Sequence, residues 1–264
     1  MHDASEDKVV ISSEHCCEFL DVNGGETIAN LCKRKNNLKK RVPGRMSVEN
    51  PVFGSEDAAG FMKAASEGKL DVIERYLSDG GDPNVHDELK RTALHRASLE
   101  GDTAVVQMLL EKGADIHFED RLGSSALHWA CRGGSLEAVK ALKSHGADLN
   151  VCDKLCSTPL HVATRTGHTD IVDFLLSCGA KINSADREGD TALHDAIRLN
   201  RYKIVKLLIV AGADTEIINN EGVTAVQQVK QWQFDTMETL QQLQRLREER
   251  LLSTQNSSEK DNAS

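Results

Sequence analysis

The 264-residue chain is poor in aromatic side chains, in proline and in long apolar runs. Aromatic residues make up 4% of the chain although 39% is hydrophobic, a balance that suits a stack of thin repeated units better than a globular enzyme with a thick core. The longest apolar run, near residues 207–213, is far too short to span a bilayer. Residues 1–7 are acidic where a secretory signal would be basic and then apolar, so we expect a soluble protein that stays inside the cell.

Sequence motifs for catalysis and metal binding are also missing. The chain has no Gly-rich phosphate loop, no HExxH and no GxSxG. Its seven cysteines, an odd number without framework spacing, indicate reduced thiols in an intracellular protein. Cys152 and Cys156 lack a second Cys/His pair at the spacing of zinc ligands. We therefore expect a protein that is not an enzyme and that needs no cofactor or metal.

What the chain does have is a unit repeated every 33 residues. In the copy at 158–190, Thr158 is a good N-cap and Pro159 suits the first helical position, while Gly167 can end that helix. An apolar stripe over 171–176 predicts a second helix, closed by Gly179, and polar residues 181–189 predict a hairpin-like finger. The openings of the copies are Thr92-Ala93-Leu94-His95, Ser125-Ala126-Leu127-His128, Thr158-Pro159-Leu160-His161, Thr191-Ala192-Leu193-His194 and a degraded Thr224-Ala225-Val226-Gln227.

This period, with a T-P-L-H-x-A opening and a Gly-Ala-Asp closing, resembles the ankyrin repeat. The predicted fold is an all-α ankyrin-repeat solenoid of helix-turn-helix units with β-hairpin-like fingers. We expect a largely disordered region at 1–56 with a basic run at 33–45, a degenerate repeat and C-terminal capping helix at 224–253, and a disordered tail at 254–264. A coiled-coil dimer seam is the alternative to the cap. The repeats are predicted at 57–91, 92–124, 125–157, 158–190 and 191–223.

A cluster of cations precedes the repeats. It is predicted to be a nuclear import signal or an electrostatic docking patch, and the alternative is a solvated helix face. The formal net charge of −9 argues against general nucleic-acid affinity but allows such a local patch. The residues assigned to the signal are Lys33, Arg34, Lys35, Lys39, Lys40 and Arg41.

The histidines His95, His128, His161 and His194 occupy one position of the repeat. A catalytic base would be needed once, in one pocket, whereas four copies on successive layers favour structure. We predict imidazoles that make hydrogen bonds near the helix start and link adjacent units.

Several columns of the repeat carry residues that the core does not need. The position after the finger aspartate is basic in the three central repeats, and so is a position near the end of the first helix in the last three. A third column is mixed and a fourth is apolar. The residues predicted to bind a partner from these columns are Leu89, Arg96, Arg121, Leu122, Trp129, Arg132, Lys154, Leu155, Arg165, Arg187 and Arg198.

We interpret these columns as a cationic groove for an acidic or extended polypeptide, with Trp129 and the leucines as apolar anchors. In the alternative interpretation the leucines bridge adjacent fingers and the arginines pair with Asp120, Asp153 and Asp186. Changing Arg132, Arg165 and Arg198 together to Glu is expected to abolish binding and to leave the helical melt nearly unchanged.

The variable positions of the repeats are similar to one family in particular. The strings LKRTALHRASLEG (89–101), ALHWACRGG (126–134), DKLCSTPLHVATRTGH (153–168) and DREGDTALHDAIRLNRYKIVKLLI (186–209) closely resemble the muscle ankyrin-repeat proteins, the stretch-responsive cardiac and skeletal set. The residues after Asp21-Val22-Asn23-Gly24-Gly25 look most like the skeletal-muscle member.

That resemblance implies a non-enzymatic adaptor between the sarcomeric I-band in the cytoplasm and the nucleus. The family binds the titin spring region and myopalladin, modulates transcription through transcription factors, and uses a basic run such as Lys33 to Arg41 for nuclear localisation. Neither membrane insertion nor sequence-specific nucleic-acid binding is expected, and we expect a monomer or a weak homodimer. The second hypothesis is an IκB-like cytoplasmic inhibitor that masks the nuclear signal of a transcription factor.

Overall fold

The computed structural model describes residues 55–229 and four single residues further on, 238, 241, 242 and 245. The predicted basic run and the predicted tail at 254–264 lie outside the described residues. So does most of the predicted C-terminal capping helix.

Ten α-helices and a short 3₁₀ helix, Val226–Gln228, make up the described part of the chain. The helices form five antiparallel pairs that succeed one another along the sequence, and residues 55–229 contain no extended β-strand. Isolated bridges such as His86 to Thr92 close the bases of the fingers. The predicted all-α repeat solenoid is thus confirmed. The helices are α1 Ser55–Glu67, α2 Leu70–Ser78, α3 Ala93–Glu100, α4 Thr103–Glu111, α5 Ala126–Gly133, α6 Leu136–Ser144, α7 Pro159–Thr166, α8 Thr169–Ser177, α9 Ala192–Arg198 and α10 Tyr202–Val210.

Local sequence explains where the first helix of each unit starts and stops. Thr158 is the extended N-cap of α7, Pro159 takes the first helical position, and Gly167 ends the helix with φ 86°. The last complete unit ends α9 differently, because Asn200 takes the left-handed conformation with φ 54° that glycine takes elsewhere. The first unit also departs from its prediction, since α1 begins at Ser55 and runs for 13 residues.

A single hydrophobic core runs through the stack. First helices pack on first helices of the neighbouring units, and second helices pack on second helices. Leu160 of α7 and Leu175 of α8 are both fully buried between these layers. Truncating either to Ala should therefore cost about 2–5 kcal/mol of unfolding free energy.

The fingers are joined to one another by their backbones. Arg121 N donates to Leu89 O and Lys154 N donates to Leu122 O, both over 2.9 Å, and the same bond recurs in the later fingers. This register places equivalent finger residues side by side. Across the described residues, every helix is too short or too polar to cross a bilayer.

Candidate functional site

The four repeated histidines sit at the starts of α3, α5, α7 and α9. His128 Nδ1 accepts from Ser125 N over 3.2 Å, and its Nε2 donates to Ser157 O over 3.0 Å. The other three make the same two contacts. A backbone N–H can only donate and a carbonyl can only accept, so this network requires the neutral Nε2–H tautomer.

Burial is the main cause that lowers the pKa of His95, His128 and His161 below its ordinary value. Beside His161, the charge of Arg165 lowers the pKa further. These imidazoles stay neutral near pH 7, and both ring nitrogens are used between the helix start and the following finger. Neither nitrogen is left for a substrate.

The basic column on the fingers consists of Arg121, Lys154 and Arg187. Lys154 Nζ donates to Arg121 O over 2.7 Å, and the Arg187 guanidinium donates to Lys154 O. A carbonyl does not neutralise a cation, so the column keeps its positive charge while two of its side chains are held in place. The Arg121 side chain is exposed and makes no hydrogen bond or ion pair to any residue that the structure describes.

The apolar column at the fingertips is open to solvent. Leu89, Leu122 and Leu155 are 46%, 62% and 48% exposed. Three leucines in register on neighbouring fingers form a row that could hold apolar side chains of a partner.

The side chains around Trp129 form what we call the aromatic layer: Arg91, Asp120, Trp129 and Arg132. The buried indole donates from Nε1 to Asp120 Oδ2 over 3.0 Å. The guanidinium carbons of Arg132 and Arg91 lie 5.2 and 6.0 Å from the ring centroid, within cation–π range. Arg91 is paired with Asp87, over 2.7 Å. Exposed Arg132 has no carboxylate within ion-pair distance among the described residues.

Arg96, the first member of the mixed column, is also paired with an acid. Arg96 reaches Asp87 over 3.1 Å. Burial would raise the pKa of Asp87, but hydrogen bonds from Arg91 and Arg96 and from the backbone lower it below its usual value. Asp87 therefore stays ionised and neutralises Arg91 and one of the predicted binding residues, Arg96.

In the last two repeats, the same columns and the neighbouring finger acids form the ionic layer: Arg165, Asp186, Asp190, Asp195 and Arg198. Arg165 bridges Asp186 over 2.5 Å and Asp195 over 2.6 Å. Arg198 contacts Asp195 and lies 3.7 Å from Asp190. The Asp195 side chain is fully buried, and this burial raises its pKa although both arginines lower it.

The predicted binding residues therefore do not form one uniform surface. Arg121, Arg132 and the leucines face solvent, whereas Arg165 and Arg198 are held by acids. The pairing proposed in the alternative interpretation exists for Asp186, while Asp120 and Asp153 accept from backbone N–H groups and, for Asp120, from the indole.

Sequence reasoning did not single out two residues on which these layers depend. In the sequence, Asp195 is one member of the mixed column Arg96, Trp129, Val162 and Asp195, and its bond to Arg165 spans 30 residues of chain. A Cβ on Gly133 would lie 1.9 Å from Leu99 O, so only glycine permits this approach of α5 to α3. A glycine inside a first helix, where other units carry Glu100, Thr166 and Leu199, was the available signal.

Comparison with known proteins agrees with this architecture. A family model described as ankyrin repeats (3 copies) matches residues 61–153 and 145–219. Ankyrin repeat domain-containing protein 1 of Xenopus laevis is 52% identical over 73 residues, 27% of this chain and 23% of that protein. Its Homo sapiens counterpart is 50% identical over 73 residues, with the same 27% and 23% coverage.

Ankyrin repeat domain-containing protein 2 of Homo sapiens is 50% identical over 85 residues, 30% of this chain and 23% of that protein. The match therefore spans about a quarter of the length of these relatives, within the repeats. The resemblance to muscle ankyrin-repeat proteins is confirmed as homology at about 50% identity over that stretch.

Proposed function

Because the chain belongs to the ankyrin-repeat family, whose units build surfaces for protein interaction, we propose that its fingers and first helices bind an extended acidic segment of a partner protein. The face proposed for this contact comprises the aromatic layer, Arg121 and the fingertip leucines.

The exposed guanidinium of Arg132, stacked on Trp129 without a carboxylate, is the observation that carries this proposal. Stacking fixes the side chain, so a partner carboxylate that pairs with it costs less side-chain entropy than pairing with a freely rotating arginine. Arginine is also among the residues that most often dominate binding energy at protein interfaces. Trp129 itself is buried and supports Arg132 from below, so it is not the exposed apolar anchor that the sequence predicts. The adjacent fingertip leucines supply apolar contact area.

The charge of the face explains the preference for an acidic partner. The chain is acidic overall, with a formal net charge of −9, yet Arg121, Arg132 and Lys154 have no carboxylate partner among the described residues. At physiological salt, charges act over a screening length of about 8 Å, so local cations outweigh remote acids. Binding should accordingly weaken as salt is added.

At the level of the cell, this chain acts in our proposal as a non-enzymatic adaptor of striated muscle, shared between the I-band and the nucleus. Its homology to ankyrin repeat domain-containing proteins 1 and 2 supports this role. The titin spring region and myopalladin are the partners that we propose in the sarcomere, and transcription factors in the nucleus. The run from Lys33 to Arg41 would serve for import. The cationic aromatic layer disfavours the IκB-like alternative, which requires an acidic surface for a basic signal.

The ionic layer changes the variants that should be used to test this face. Reversing Arg165 and Arg198 would leave the buried Asp195 beside new negative charges, so the triple reversal of Arg132, Arg165 and Arg198 would unfold the last repeats. We therefore expect the melting temperature of this triple variant to fall and not to stay nearly unchanged.

The sharper variant is Arg121→Glu with Arg132→Glu, since both side chains are exposed. Its affinity for a titin spring-region segment and for myopalladin, measured by titration calorimetry, should fall at least about tenfold, or about 1.4 kcal/mol. The matched control, Lys112→Glu with Lys140→Glu, makes the same charge change at the C-cap of α4 and on α6, and it should bind normally. If Arg121→Glu with Arg132→Glu binds with unaltered affinity, the proposed face is not the binding site. If the unaltered chain binds neither protein, the muscle partners are wrong.

A further inference from the structure

The second helices of the last two units carry opposite charges at equivalent positions. Asp170 and Asp173 lie on α8, and Lys203 and Lys206 lie on α10, each 33 residues further on. All four side chains are exposed. None takes part in an ion pair within the described part of the chain.

The same face of α10 carries two exposed apolar side chains, and at one of these positions the preceding units are polar. Val210 is 67% exposed, and Tyr202 is 47% exposed. The Val210 position holds Ser78, Glu111, Ser144 and Ser177 in the preceding units. A groove of about 430 Å³ follows this face, lined by Thr169, Tyr202, Lys203, Lys206, Leu207 and Val210.

We propose that this face of α8 and α10 binds the same face of a second copy of the chain. A two-fold axis parallel to the helices and midway between them would place α8 of each copy opposite α10 of the other, at the same height along the helix. Asp170 then meets Lys203 of the partner subunit, and Asp173 meets Lys206 of the partner subunit. Symmetry duplicates both pairs, because such an interface is isologous.

Charge complementarity is what selects a second copy as the occupant. An acidic stripe beside a basic stripe is complementary to itself after the rotation, so no separate partner sequence is needed. The unpaired charges acquire partners and the exposed Tyr202 and Val210 are covered in the same step. The contact uses second helices, so it does not depend on the binding face proposed above.

The dimer should be weak, because two short helices per copy give an interface at the small end of the range for specific contacts. Exposed ion pairs also add little each. Sedimentation equilibrium of the full chain, up to about 1 mM, should show a concentration-dependent dimer. A chain that stays monomeric over this range overturns the proposal.

Charge exchange tests the pairing itself. Lys203→Asp with Lys206→Asp makes the face wholly acidic and should weaken dimerisation at least about tenfold, and Asp170→Lys with Asp173→Lys should do the same by making it wholly basic. Combining all four changes restores opposite stripes and should restore the dimer. If either double substitution leaves the dimer affinity unchanged, or if the four changes together do not restore it, this interface is contradicted.

Two further variants control for net charge and for apolar contact. Asp71→Lys with Glu74→Lys makes the same charge change in the same columns of the first unit and should leave the dimer intact. Tyr202→Thr with Val210→Ser installs the residues of the preceding unit, Thr169 and Ser177, and should weaken the dimer several-fold. Circular dichroism melts should show that each variant remains folded, and a dimer unchanged by the second variant would exclude the apolar part of the contact.

Discussion

The aromatic layer and the ionic layer occupy the same two columns of the repeat and use them in opposite ways. Trp129 precedes Arg132 by three residues, and Asp195 precedes Arg198 by three residues. Arg132 stacks on its indole and faces solvent, whereas Arg198 turns to its carboxylate. A basic column therefore does not define a basic surface, because the neighbour one helical turn earlier decides where each arginine points.

The unit that contains Arg165 has no polar neighbour one helical turn earlier. Val162 offers no polar partner within α7, so Arg165 pairs with Asp186 in the finger of its own unit and with Asp195 of the following unit. The interface between the last two units is thereby held by buried charge, while the aromatic layer stays available for a partner. In our proposal, stability and recognition are thus assigned to different units of one stack.

The largest expected difference between the two layers is in the unfolding free energy that is lost when one arginine is removed from each. Arg165→Ala leaves Asp195 with only Arg198, and we expect the unfolding free energy to fall by about 2–4 kcal/mol. Arg132→Ala removes an exposed side chain and should cost less than about 1 kcal/mol. Urea denaturation followed by circular dichroism measures both.

A second substitution controls for the buried charge. Asp195→Val installs the residue of the preceding unit, and Arg165 retains Asp186. Asp195→Val should lower the unfolding free energy by less than Arg165→Ala does. Equal losses from Arg165→Ala and Arg132→Ala would mean that the ionic layer does not stabilise its interface in the way described here.

The helix that carries Trp129 and Arg132 of the aromatic layer depends on a close backbone approach to α3. In Gly133→Ala the new Cβ would meet Leu99 O at 1.9 Å, so α5 must move away from α3, at a cost of about 1–3 kcal/mol. Gly60 in α1 has open space around its Cβ position, and Gly60→Ala should instead stabilise the chain by up to about 1 kcal/mol. Thermal melts of the two variants should shift in opposite directions, and a neutral Gly133→Ala would refute the close approach.

The histidines should respond to pH alike in both layers, because His128 and His161 make the same two bonds. Their folded pKa values are lowered, so below pH about 6.5 the unfolded chain takes up protons that the folded chain does not. Stability is complete above that pH and is lost as pH falls, by at most about 1.4 kcal/mol per pH unit for each histidine. Denaturation series between pH about 7.5 and 5.5 measure this slope.

His128→Gln supplies the control for that slope. The chain already uses glutamine there in its fifth copy, where Gln227 Oε1 accepts from Thr224 N over 2.9 Å. The variant should keep the helix start and show a shallower loss of stability with acid. Asp195, whose pKa is raised, contributes with the opposite sign but equally to both proteins. Identical slopes would show that folding leaves the pKa of His128 unchanged.

The repeat and its helices could be predicted from the sequence because the deciding signals are local. Thr158, Pro159 and Gly167 fix the ends of α7 through backbone geometry within one helix. The start of α1 at Ser55 was missed, since the first unit lacks the Thr-x-Leu-His opening that marks the others.

The candidate site could be predicted only in part. The register of the repeats predicts the columns. Whether Arg165 is exposed or paired depends on Asp195, which lies 30 residues away and belongs to another column. The need for glycine at 133 likewise depends on the separation of α3 and α5, which no pattern within either helix encodes. Contacts between units depend on how the helices pack, so they cannot be predicted from one column of the repeat.

The histidine bonds have a consequence for how the stack comes apart. Each of them joins the start of one first helix to the residue just before the N-cap of the next, from His95 to His194, while Met62 and Gln227 occupy the position in the end units. A central first helix is therefore tied to the helix starts on both sides, whereas neither end unit contributes such a bond. Fraying therefore begins at the termini of the solenoid, and amide protons of α5 and α7 should exchange with deuterium last.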